Sequence, residues 1–159
     1  MNVALGCDHA GYSLKRDLME LLDELGIAYE DFGSYDTAPS DYPDVAKEVG
    51  LAIAKGDFDR GILVCGTGIG TAIAANKVKG VRAAPCHDTF SARMSREHNN
   101  ANVLCLGARV VGRGLARDIV QIWLATDFSE AERHQRRLEK IAALERSRPR
   151  KPKEGKSTT

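Results

Sequence analysis

The 159-residue sequence has almost no surplus of charge: 23 lysines and arginines face 22 aspartates and glutamates, for a formal net charge of +1. A chain so balanced projects no long-range field toward nucleic acid or an acidic membrane surface, and any basic site must be local. Aromatic residues make up only 6% and are not interleaved with the basic stretches, which removes the stacking platform that nucleic-acid binders use. Cysteine is sparse as well. Cys7, Cys65, Cys86 and Cys105 are widely spaced, form no CxxC pair, and are too few for a disulfide framework, so they read as reduced thiols. The opening "MNVALGCDHAG" lacks a basic leader and meets an acid and a histidine after a few apolar residues. It is expected to be neither a signal peptide nor a membrane span, and the protein is expected to be cytoplasmic.

What is present is an alternation of apolar runs and amphipathic stretches over the length of one domain. "NVALGCD" reads as a strand, and "GYSLKRDLMELLDELG" as a helix in which Leu14, Leu18, Leu21, Leu22 and Leu25 recur at helical spacing until Gly26 stops it. "IAYEDFG" reads as a second strand, "SYDTAPSD" as a turn-rich loop, and "YPDVAKEVGLAIAKG" as a helix apolar along Val45, Val49, Ala52 and Ile53. The third strand, "RGILVC", is apolar on both faces, as in a parallel sheet covered by helices on both sides. "GVRAAPC" and "ANVLCLG" read as the fourth and fifth strands. "TAIAANK", "DTFSARMSREHN", "GRGLARDIVQIWLATD" and "SEAERHQRRLEKIAALERS" read as helices. Five repetitions of strand then helix predict one α/β doubly wound domain over 1–146, followed by a disordered charged tail over 147–159 that ends "RPRKPKEGKSTT".

The stretch "CGTGIG", residues 65–70, closes the third strand, and ligands of open α/β sheets bind beyond the carboxyl ends of strands. Its G-x-G-x-G spacing matches neither the P-loop nor the dinucleotide fingerprint, which argues against a nucleotide cradle. A strand–glycine–helix turn does supply convergent backbone N–H groups for an anion, and a thiol beside them, here Cys65, has its thiolate favoured. The alternative is a tight turn with a buried thiol. Asp8 and His9 end the first strand in "CDHAG", and His98, Asn99 and Asn100 end the helix before the fifth strand in "REHNN". In a parallel sheet these ends can face the same crevice. Arg133 and Arg137 in "ERHQRR" stand one helical turn apart, able to grip one phosphate, and Arg109 in "GARVVG" is a third candidate at the ligand end.

Taken together, "GCDHAG", "DYP", "CGTGIG", "AANK", "REHNNANVLCLGAR" and "ERHQRR" resemble ribose-5-phosphate isomerase of the B type, in order over residues 2–146. That family includes relatives acting on galactose 6-phosphate and allose 6-phosphate. The resemblance implies a Rossmann-like three-layer sandwich with a five-stranded, mostly parallel sheet, a homodimer or homotetramer with active sites shared between subunits, and no metal or other cofactor. It implies a small-molecule sugar phosphate as substrate and an aldose–ketose isomerisation in the pentose phosphate pathway, with neither nucleic acid nor membrane as partner. Position by position, Cys65 would move a proton between C2 and C1 through an enediolate, and His98 would open the furanose ring. Asp8 would hold sugar oxygens, Thr67 would lie by the reacting hydroxyls, and the backbone of Gly66, Thr67, Gly68, Ile69 and Gly70 would form the anion hole. Asn99 would add a polar contact, and His9, Arg109, Arg133 and Arg137 would hold the phosphate. Some family members carry a glutamate base where this chain has Thr71, so the resemblance is to the cysteine version.

Three other readings compete. A hexose-6-phosphate isomerase would share the machinery, whereas a sugar-phosphate-binding module would use the arginines and the glycine turn without needing Cys65 and His98 as base and acid. A metal enzyme would gather Cys7, His9, Cys65, Cys86 and His87, but their spacing follows no zinc pattern.

Overall fold

A computed structural model describes residues 1–146; the expected tail over 147–159 lies outside them. Five strands, β1 (Asn2–Cys7), β2 (Ala28–Asp31), β3 (Arg60–Cys65), β4 (Ala83–Pro85) and β5 (Val103–Gly107), form one sheet in the order β2-β1-β3-β5-β4. Every pairing is parallel. Six helices connect or follow them: α1 (Tyr12–Glu24), α2 (Tyr42–Lys55), α3 (Ile69–Ala75), α4 (Thr89–Asn99), α5 (Arg113–Ala125) and α6 (Glu132–Arg146).

Alternation along the strands sorts the core into two faces. Val3, Leu5, Ile62, Val64, Leu104 and Leu106 meet the leucines of α1 and Ile119, Val120 and Trp123 of α5. Ala4, Leu63, Val103 and Cys105 point the other way, onto Val45, Val49 and Ile53 of α2 and Ala72 and Ala75 of α3. Helix, sheet and helix thus make three layers. Among the described residues no helix is long and apolar enough to cross a membrane.

Two elements differ from the sequence reading. The fourth strand is only Ala83–Pro85, because Gly80 takes a left-handed φ of 86° and Asn102 Oδ1 accepts the Arg82 N–H at 2.7 Å, holding the approach to the sheet as a turn. Helix α3 starts at Ile69, two residues before the expected Thr71, so Gly70 is helical. The Tyr42 ring fills the space where a Cβ on Gly70 would stand, at 2.7 Å, so a larger residue there would have to displace the ring.

The register decides where function can gather. Cys7 pairs with Val64 and Cys65 with Gly107, so the loops after β1, β3 and β5 leave the sheet at one edge. Helix α4 runs back from the carboxyl end of β4 to the amino end of β5, where Ala101 N–H returns to Ser95 O. Its last turn therefore lies at the opposite edge, about 16 Å away at the usual rise per strand residue.

Candidate active site

Cys65 is the last residue of β3 and only 4% exposed. The chain then folds over its own sulfur: Gly68, at φ 75°, donates its backbone N–H to Cys65 Sγ at 3.1 Å. This conformation and the crowding both demand glycine. A Cβ on Gly68 would lie 2.9 Å from the Leu106 carbonyl carbon, and one on Gly107 would lie 2.7 Å from that of Thr67, so the turn is pressed against the end of β5. In the first turn of α3 the Ile69 N–H donates to Thr67 Oγ1 at 3.4 Å, and the next N–H groups, which have no partners within the helix, add to the donors of this concave turn.

A cavity of about 450 Å³ opens above it. Asp8, Cys65, Gly66, Thr67, Ile69, Gly70 and Arg109 line it, all expected at the site, together with Tyr42 and Ile73, which were not. Gly68 sits beneath, buried. Tyr42 carried a visible signal, an aromatic before Pro43 at a helix start, but its place over Gly70 depends on tertiary packing. Asp8 is buried, and its Oδ1 accepts the Gly11 N–H at 3.0 Å, which fixes the carboxylate at the pocket wall. His9 is clipped to the loop before α2: its N–H donates to Ser40 Oγ at 3.1 Å and its Nδ1 accepts the Ser40 N–H at 3.2 Å. Arg109 donates its N–H to Gly66 O at 3.0 Å, and its guanidinium lies over Gly66.

Loop 32–41 is anchored from below. Lys15, fully buried, donates to both carboxylate oxygens of Asp31 at 2.6 and 2.7 Å and to Ser34 O at 2.7 Å. The buried ammonium is thus paired and satisfied, which makes it a fixed post rather than a reactive amine.

The remaining expected residues form a second cluster. His98 and Asn99 end α4, and the His98 ring lies 4.3 Å from that of His134 on α6. Arg133 Nε donates to His134 Nε2 at 3.2 Å, which leaves Nδ1 as the protonated nitrogen, donating to Ser129 Oγ at 2.7 Å. Burial and then the adjacent His98 push the His134 pKa below the usual histidine range. Arg133, Arg137 and Asn99 are exposed. Arg96, 2% exposed, braces the corner by donating to Ala101 O at 2.6 Å and to Asn100 Oδ1 at 2.9 Å. A cavity of about 520 Å³ nearby is lined by Asn99 with Asn76, Arg82, Ile141 and Leu144, but it holds no thiol and no histidine.

Within one chain, then, there are two half-sites rather than one crevice. The sequence reading assigned the end of α4 to the ligand edge, but a helix returning between parallel strands must finish at their amino ends. His134 was also missed, although "ERHQRR" contains it between the two arginines. The other thiols behave as structural residues: burial pushes Cys7 up to about 11 and raises Cys86 and Cys105 too. Among the described residues no three His, Cys, Asp or Glu side chains are grouped to hold a metal ion.

Residues 3–141 match the family model described as Ribose/Galactose Isomerase. The chain belongs to the ribose/galactose isomerase family. It is 48% identical over 146 residues to ribose-5-phosphate isomerase B of Escherichia coli, covering 92% of this chain and 97% of that protein. It is equally 48% identical, over 130 residues, to D-erythrulose-4-phosphate isomerase of Pectobacterium atrosepticum, covering 80% of this chain and 85% of that one. The solved structure of Clostridium thermocellum ribose-5-phosphate isomerase B superposes with a TM-score of 0.90 at 49% identity, over 92% of this chain and 98% of that chain. The parallel three-layer fold is thus the fold of the ribose/galactose isomerases, and both half-sites lie inside the matched residues.

Proposed function

We propose that the protein is a ribose-5-phosphate isomerase that interconverts D-ribose 5-phosphate and D-ribulose 5-phosphate through an enediolate. The observation that carries the reading is Cys65 Sγ at the head of the backbone turn, with the Gly68 N–H on the sulfur at 3.1 Å. Isomerisation removes a weakly acidic proton from C2 and returns it to C1 while charge builds on oxygen, so base and anion donors must be adjacent. Cys65 is the base, and the backbone of Gly66, Thr67, Gly68, Ile69 and Gly70 receives the enediolate oxygen. Asp8 orients sugar hydroxyls, and Thr67 lies beside the reacting ones. His98 opens the furanose by proton transfer, Asn99 adds a polar contact, and His9, Arg109, Arg133 and Arg137 bind the phosphate. Binding energy from the unreactive phosphate then holds C1 and C2 against the thiol.

The separation of the half-sites supports a homodimer in which the α4–α6 corner of one copy completes the Cys65 pocket of the other. On this reading the enzyme works in the cytoplasm, in the pentose phosphate pathway. The test is turnover of ribose 5-phosphate in chelator, with D-erythrulose 4-phosphate, allose 6-phosphate and galactose 6-phosphate alongside. Preferred turnover of ribose 5-phosphate is expected. Preference for a four- or six-carbon sugar would keep the chemistry and change the substrate, and turnover of none would leave a binding module.

A further inference from the structure

The hydroxyl of Thr71 is fully buried, beneath the pocket rather than in its lining, and the chemistry above gives it no task. Its Oγ1 lies 3.5 Å from Cys65 Sγ and donates to Gly68 O at 3.2 Å. On the next strand Cys105 has a thiol that burial keeps protonated. A hydroxyl carries one proton and two lone pairs. With the proton on Gly68 O, a lone pair is free to receive the S–H of Cys65. A thiolate accepts and cannot donate, so when Cys65 is deprotonated its contact with Thr71 must reverse. The Thr71 hydrogen turns from Gly68 O to the sulfur. Gly68 O is not orphaned, because it keeps the Ala72 N–H at 3.3 Å.

We infer that Thr71 is the positioning residue of the Cys65 base: its hydroxyl accepts from the thiol in the resting site and donates to the thiolate once formed, without touching the sugar. Together with the Gly68 N–H it gives the thiolate two donors. The inference rests on the isomerase reading for its purpose but not for its chemistry. The titratable and charged groups facing Cys65 are Asp8 after β1, Tyr42 on α2, Cys105 on β5 and Arg109 after β5. Substitution at Thr71 leaves all of them in place.

The test compares Thr71→Val, which keeps the shape and removes the hydroxyl, with Thr71→Ser, which restores it. The readout is the pH dependence of iodoacetamide alkylation at Cys65, located by peptide mass, and then the pH profile of kcat/KM. Thr71→Val should move the alkylation midpoint up by about one pH unit, the size expected for one hydrogen bond to a charged group. The acidic limb of kcat/KM should move with it at nearly unchanged KM, and Thr71→Ser should follow the parent. An unmoved midpoint in Thr71→Val, or equal shifts in both variants, would overturn the assignment. Alkylation needs no turnover, so a chain inactive on every sugar that still shows the shift would keep Thr71 in this role and sink only the isomerase reading.

Discussion

At the carboxyl edge of the sheet, Cys65, Asp8 and Gly68 are buried, and Cys65 and Asp8 are each held by a backbone N–H. At the α4–α6 corner, His98, Arg133 and Arg137 are side chains on helix surfaces, the first two in contact with His134. The first region is rigid before any ligand arrives, as a base and an anion hole must be. The second holds long flexible cations, suited to gripping a phosphate that does not react. On the proposed reading the enediolate chemistry rests on backbone geometry, ring opening is left to His98, and much of the phosphate grip rests on helix-borne charge. Substitutions at Cys65 and at the helix arginines should therefore fail in different ways.

The largest effect is expected at the base. Cys65→Ser should lower kcat by about 10³-fold or more while substrate binding, read by calorimetry, stays near the parent value. A fully active variant would remove the thiol from the mechanism. Next comes the backbone that supports it: in Gly107→Ala the new Cβ meets the Thr67 backbone at 2.7–2.9 Å, with no flexible group to yield. Overpacking of this kind costs about 1–3 kcal/mol, so a lower melting temperature and a fall in kcat should appear together. Parent-like kcat would show that the turn is less exacting than its contacts suggest.

At the other region, Arg137→Ala should raise KM about tenfold or more at little cost to kcat. An unchanged KM would return that helix face to a solvated role. The smallest effect concerns His134. Its folded pKa lies below its unfolded value, so between the two the unfolded chain binds the extra proton. The stability it contributes is present above the ordinary histidine pKa of about 6.5 and is lost as pH falls through and below it. Melting temperature should therefore drop between pH 7.5 and 5.5, and His134→Gln should flatten that slope; an identical slope in the variant would place the titration elsewhere.

The sheet, its covering helices and the Cys65 turn were legible because each is written locally, in apolar strand runs, helical leucine spacing and glycines at a strand end. The roles of Tyr42, His134 and Thr71 were not, since each depends on an element distant in sequence: Gly70 beneath one ring, His98 beside the other, and two thiols on neighbouring strands around the hydroxyl. The misplaced half-site had a different cause. Residues were assigned to an edge by their nearness to a strand, and the reversal of direction along α4 was left out.

The central claim is that the two half-sites meet only across two copies of the chain. Cys65→Ser and His98→Ala, each inactive alone, would be co-refolded and assayed as a mixture. Random pairing makes half the dimers mixed, and each mixed dimer holds one wholly native site of two, so about a quarter of the parent activity should return. A mixture as inactive as its parents would contradict the shared site and require His98 to act on the Cys65 of its own chain.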